Sequence, residues 1–199
     1  MKKIKPIILL LLCSICVHNI AQDSIKWMTV QQLNVAMKKQ PKKIMLMYHT
    51  DWCTYCKSMK ETTLLNQDVI EYINTNFYPV KFNAEYPEPV AFNNRNYVHL
   101  NPGVHKKFHQ LARQYIIINK AIGFPTFVFF DENYGLPMPA TRGYKSVEKL
   151  ERYMRYVGDN IYIRKSFAEH ESNFVSQFNK ETAQNHNHGE GSCTEENVR

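Results

Sequence analysis

The sequence predicts an α/β fold in which a central, mostly parallel sheet with an antiparallel last strand carries helices on both faces. Three observations predict it. Strand-like and helix-like patterns alternate from residue 24 to residue 157. Residues 43–48 are apolar on both faces, as a strand covered on two sides must be. The connection before the last strand is short, which favours an antiparallel return.

In chain order, residues 24–28 can form a short edge strand. In residues 30–39, Val30, Leu33, Val35, Ala36 and Met37 follow a mostly amphipathic helical spacing that Pro41 ends. Ile44, Met45, Leu46 and Met47 make the buried strand. Residues 53–65 return to helical spacing, and Asp68 is the expected cap of a second helical piece carrying Val69, Ile70, Ile73 and Phe77. Residues 77–82 read as the next strand, and residues 84–102, rich in Asn and Pro and without a period, as an inserted loop. Residues 104–115 are helical, and residues 126–130 form an apolar, β-branched and aromatic strand ending at Asp131. A turn at 132–135, a strand at 138–144 and a helix at 147–157 complete the order.

Lys2, Lys3 and Lys5 precede a predominantly apolar run, residues 7–17, which is a signal-peptide pattern with expected cleavage after Ala21. Eleven helical residues rise about 16 Å, half of a ~30 Å hydrocarbon core, so no stable membrane insertion is expected after cleavage. Lipidation at Cys13 or Cys16 is the competing reading, disfavoured by Leu12 and Ile15 in front of them. Residues 22–162 are then one domain, with an insertion at 84–102, followed by an extension at 163–199. The extension is expected to be disordered from about residue 180, since nothing after that position is Leu, Ile or aromatic. Without its leader the chain carries a formal charge of +4, with Lys and Arg scattered among Asp and Glu. No patch argues for nucleic acid or a membrane surface.

Three cysteines remain after the leader, Cys53, Cys56 and Cys193, too few for a disulfide scaffold. The segment Trp52-Cys53-Thr54-Tyr55-Cys56-Lys57 falls at a strand-to-helix junction. There, unpaired N–H groups and the helix macrodipole favour a thiolate at Cys53. Cys56 lies one turn along the same face, placed to resolve a mixed disulfide. Half of a zinc site and an inert structural disulfide are the alternatives. No second cysteine pair completes the former, and His186, His188 and Cys193 stand in the tail. A second signal is Gly123-Phe124-Pro125-Thr126, directly before a buried strand. A cis Phe124–Pro125 bond there would let the Phe124 backbone face the dithiol and pair with a substrate strand.

These two motifs, in this order and context, closely resemble the thioredoxin superfamily over roughly residues 25–160. Residues 51–57 and 67–82 look most like the C-terminal domain of the bacterial transmembrane reductase DsbD, and like small exported thioredoxin-like proteins. The resemblance implies a thioredoxin fold and reduction of disulfides in exported proteins, with Cys53 as nucleophile, Cys56 as resolver and Pro125 as the cis proline. Two departures stand out. Met47 occupies the place of a buried aspartate that aids proton transfer, and His49 replaces an aromatic residue. His49 is therefore a candidate proton relay, or a positive neighbour of Cys53, against the reading that it merely packs. Thr54 and Tyr55 match neither the Gly-Pro of reductants nor the Pro-His of the oxidant DsbA, so direction is not written in the motif.

The insertion, with Tyr86, Phe92, Tyr97 and His99, either reaches the Cys53 face or packs as an ordinary excursion. Glu61 is expected to be solvated, His105 and His109 share a helix face at metal-binding spacing, and Cys193 is read as an exposed thiol. The expectation is thus a periplasmic thiol–disulfide oxidoreductase with no cofactor and no metal. It acts on protein thiols and disulfides and is recharged by a membrane thiol-electron donor. The rivals are a disulfide oxidant or isomerase, and a client-binding, chaperone-like module.

Overall fold

The computed structural model describes residues 24–104 and 107–178. Its elements are α1 (Val30–Lys39), β1 (Ile44–His49), α2 (Thr54–Glu61), α3 (Gln67–Asn76), β2 (Tyr78–Asn83), β3 (Val90–Phe92), β4 (Arg95–Tyr97), α4 (Gln110–Ile116), β5 (Ile117–Ile118), β6 (Ala121–Ile122), β7 (Thr126–Phe130), β8 (Thr141–Arg142), α5 (Val147–Gly158) and α6 (Phe167–Ser172). Cys13, Cys16, His105, His186, His188, Cys193 and the whole leader lie outside the described residues.

The main sheet has the order β2-β1-β7-β8. The helical crossover through α2 and α3 returns the chain to the start of the sheet, so β2 runs parallel to β1, with Ile44 beside Tyr78 and His49 beside Asn83. A single parallel bridge from Met28 to Val80 is all that forms of the expected first strand. The fold class is the expected one, but antiparallel pairing begins one strand early. The chain enters β7 at the end where β1 finishes, so Thr126 lies beside Tyr48 and Phe130 beside Ile44. β8 then pairs antiparallel to β7.

Side-chain alternation on β7 builds both faces of the core. Phe129 packs against Phe77, at the end of α3, with ring centroids 5.7 Å apart. Phe130 turns the other way, onto Phe92 of β3 and Tyr115 of α4. All of β1 except His49, and all of β7, is buried, as the two-sided apolar pattern requires.

Four local expectations are corrected. Asn66, not Asp68, caps α3, its side-chain oxygen accepting the Val69 N–H, while Asp68 sits in the first turn. The insertion is not a plain loop: β3 and β4 form a hairpin whose turn residues Asn93 and Asn94 both have positive φ. Its buried Phe92 makes it part of the core, and Asn34 of α1 donates to the Ala91 carbonyl. α4 starts at Gln110, capped by His109, well after residue 104. The strand expected at 138–144 shrinks to two residues, since Gly143 at φ +87° turns the chain away. Residues 163–178 pack against α5: Phe167 stacks on Tyr153 at 5.0 Å. The fully buried Glu151 carboxylate is paired with Arg155 and accepts from the Ser176 hydroxyl and the Gln177 and Phe178 backbone N–H groups.

Candidate active site

β1 delivers the chain to the site at His49, and a short turn later Cys53 is the N-cap of α2. Its sulfur accepts the Cys56 N–H at 3.0 Å, which answers one of the unpaired donors at the helix start. The two cysteines form a disulfide with Cα atoms 5.3 Å apart, and both are almost wholly buried. The first turn of α2 contains no acidic residue, so the positive end of the helix dipole is uncompensated by a carboxylate from its own turn.

The second motif closes over the first. The Phe124–Pro125 peptide bond is cis, and Thr126 donates its hydroxyl to the Gly123 carbonyl at 2.7 Å. The Phe124 ring meets Trp52 edge to face at 5.8 Å and Phe108 at 5.5 Å. Behind Pro125, its carbonyl accepts the Gly143 N–H at 2.7 Å. Trp52 is held from the other side, its indole N–H donating to Glu85 at 2.8 Å. Glu85 in turn is fixed by its backbone N–H on Asn83, whose amide donates to Asp51.

A groove of about 470 Å³ runs between the two motifs, lined by Trp52, Cys53, Tyr55, Ile122, Phe124 and Arg142 among others. Cys53 lines it and Cys56 does not. The arrangement can therefore receive a sulfur at Cys53 while keeping Cys56 behind it.

His49 ends β1, half-buried. Burial, then the nearby Lys81 charge, pulls its pKa down to about 4, so the imidazole is neutral at physiological pH and supplies no positive charge to Cys53. Met47 is fully buried and apolar, so the acid of the related motif has no counterpart there. Glu61 is exposed, as expected. His109 precedes α4 as its cap, its Nδ1 accepting the Leu111 N–H, so it does not lie within the helix expected to carry two histidines. Among the described residues no cluster of His, Cys, Asp and Glu is suited to a metal ion, and no helix is long and apolar enough to cross a membrane. In the insertion, Glu85 reaches the site through its bond from Trp52; Tyr86 packs on Phe82, and His99 packs beside His109.

Sequence reasoning missed Glu85, Ile122 and Arg142. For Ile122 a signal existed, the Asn119-Lys120 pair between two short apolar runs, which is a hairpin pattern. For Arg142 there was none, because its aim depends on a tertiary contact.

The thioredoxin-like domain family model matches residues 30–158. Among solved structures, a thioredoxin-fold protein from Helicobacter pylori is similar at 18% identity, with 76% of this chain and 86% of that one covered and a TM-score of 0.51. A thioredoxin from Thermus thermophilus has 18% identity, coverage of 67% and 87%, and a TM-score of 0.46. The DsbD C-terminal domain of Neisseria meningitidis, in its reduced form, has 17% identity, coverage of 65% and 99%, and a TM-score of 0.43. No curated protein matches the sequence. With the family's model running from the start of α1 to the end of α5, the chain belongs to the thioredoxin-like domain family, and its Cys53–Cys56 pair makes it a thiol–disulfide oxidoreductase.

Proposed function

We propose that the protein reduces disulfides of exported proteins through a mixed disulfide at Cys53. The observation that carries this reading is the placement of Cys53 at the N-cap of a helix whose first turn holds no acid, opening onto the groove that Cys56 does not line. In the reduced protein the Cys53 thiolate attacks one sulfur of the client disulfide. A Cys53–client bond forms, and the client's other sulfur leaves as a thiolate and takes a proton. Cys56 then loses its proton and attacks the Cys53 sulfur. The Cys53–Cys56 bond forms, and the client's second thiolate leaves and is protonated. Two electrons have passed from protein to client, and an external dithiol must return them.

In this reading Phe124 and Pro125 offer backbone to the client strand, and Trp52 covers one side of the exchanging sulfurs. His49 serves as a neutral proton acceptor rather than a cation. The basic leader followed by an apolar run supports export to the periplasm, and a membrane thiol carrier is the fitting electron donor there. A Cys56→Ser variant tests the reading. Expressed in cells, it should accumulate disulfide-linked adducts that disappear on reduction, and an absence of such adducts would overturn the mechanism. Direction is read from the equilibrium potential of the pair: below about −220 mV it is a reductant, and above about −150 mV an oxidant.

A further inference from the structure

One wall of the groove has a construction that thiol exchange does not require. β5 and β6 form a two-residue hairpin, Ile117 opposite Ile122, whose turn residues Asn119 and Lys120 both lie in the left-handed region at φ 51° and 61°. Arg142 of β8 anchors it: one guanidinium nitrogen, Nη1, donates to the carbonyls of Ile118 at 3.3 Å and Ala121 at 2.9 Å. The Arg142 side chain passes directly over Gly123, where a Cβ would stand 2.4 Å from its Cδ, so any larger residue there would push the arginine out of this path. The clamp sets Ile122 at the groove with 47% of its surface exposed, in company with Trp52 at 43% and Tyr55 at 64%. None of the described residues lining the groove is acidic, and Arg142 Nη1 is committed to backbone carbonyls. Apolar side chains held open beside a reactive sulfur are stabilised when an apolar group covers them.

We infer that the Arg142-clamped β5–β6 hairpin is a specificity element, in which Ile122, with Trp52 and Tyr55, receives a bulky apolar side chain next to the client's disulfide cysteine. Arg142 is a positioning residue that acts through the hairpin. The inference rests on the proposed reduction of client disulfides at Cys53.

The test uses the full chain with dithiothreitol as donor and three disulfide-bonded peptides in which the cysteine is followed by Leu, Gly or Asp. The wild type should favour the Leu peptide over the Gly peptide by about tenfold in kcat/KM, the scale set by covering one aliphatic side chain, with most of the difference in KM. Ile122→Ser, an exposed substitution that leaves the core intact, and Arg142→Ala should both bring the ratio close to one. Arg142→Lys, which keeps a donor, should recover part of it. Equal rates for Leu and Gly peptides, a preference for Asp, or a ratio that neither variant moves would overturn the inference alone. No turnover of any peptide by the wild type would instead overturn the exchange reading beneath it.

Discussion

The starts of α2 and α5 are built from the same plan with opposite ends in view. α5 is capped by the Ser146 hydroxyl, which accepts the Lys149 N–H, and carries Glu148 in its first turn. α2 is capped by the Cys53 sulfur, which accepts the Cys56 N–H, and has no acid in its first turn. Ser146 is a strong cap and Glu148 answers the dipole, so the start of α5 is electrostatically satisfied. Sulfur is a weak acceptor, and the N-terminal field of α2 is left for a thiolate to answer. In the proposed mechanism this difference is the source of Cys53 reactivity: a helix end left incompletely satisfied. The same contrast extends to the buried Glu151, whose carboxylate is surrounded by donors from Arg155 and residues 176–178 and is purely architectural.

The largest test of that comparison exchanges the caps. Cys53→Ser should cut disulfide turnover by on the order of a thousandfold or more, since it removes the proposed nucleophile. Against the reduced wild type, the same variant should be as stable or up to about 1 kcal/mol more stable, because serine is the better cap. Loss of stability in urea titrations would show that the sulfur was not a compromise. Next, Glu151→Ala removes the nearer of the carboxylates paired with Arg155, and the acceptor for the 176–178 segment. It should destabilise by about 3 kcal/mol, the low end for breaking a buried pair, with the potential of the cysteine pair unmoved. A change under 1 kcal/mol would mean that the extension is only draped over α5.

A smaller effect concerns His49. Its folded pKa, about 4, lies below the ordinary imidazole value, so the folded chain binds fewer protons than the unfolded one between those two points. Its contribution is present in full above about pH 6.5 and is lost as the pH falls through 4, about 1–2 kcal/mol after allowing for solvent screening. His49→Phe should flatten that part of the stability curve, and should also slow thiol exchange if the imidazole accepts a proton; unchanged iodoacetamide profiles would remove the second role. The smallest effect is Thr54→Asp, which places in the first turn of α2 the acid it lacks there. It should raise the Cys53 thiol pKa by about half a unit, the reach of a first-turn charge. An unmoved thiol pKa would break the argument from the dipole.

How much of this was legible in the sequence follows from the range of the forces involved. β1 and β7 announce themselves because burial on both faces demands unbroken apolar runs, and the cysteine pair and Pro125 because their chemistry needs particular residue types at fixed local spacing. The early antiparallel pairing of β7 was not legible. It depends on the end at which the chain enters β7, which the run at 126–130 does not encode. The β3–β4 hairpin was hidden in a segment whose overall Asn and Pro content argued for a loop, although Asn93 and Asn94 are the turn residues such a hairpin uses. The neutrality of His49 is a burial effect, and the aim of Arg142 depends on an empty space at Gly123. Neither is a property of a short stretch of chain.

The two boundaries of the described chain meet near one place. Asn74, near the end of α3, bonds both Ser24 and Lys26, and Phe178 packs on Tyr72 of the same helix. Asn74 lies beside the beginning of β1 and β2, since its carbonyl also accepts from Lys42. Six-residue strands put Cys53 about 20 Å further on, past the opposite ends. A tether, label or fused partner joined before Ser24 or after Phe178 therefore departs from the rear of the molecule. The Cys53–Cys56 pair, with the groove that Cys53 lines, stays at the opposite end from such a junction.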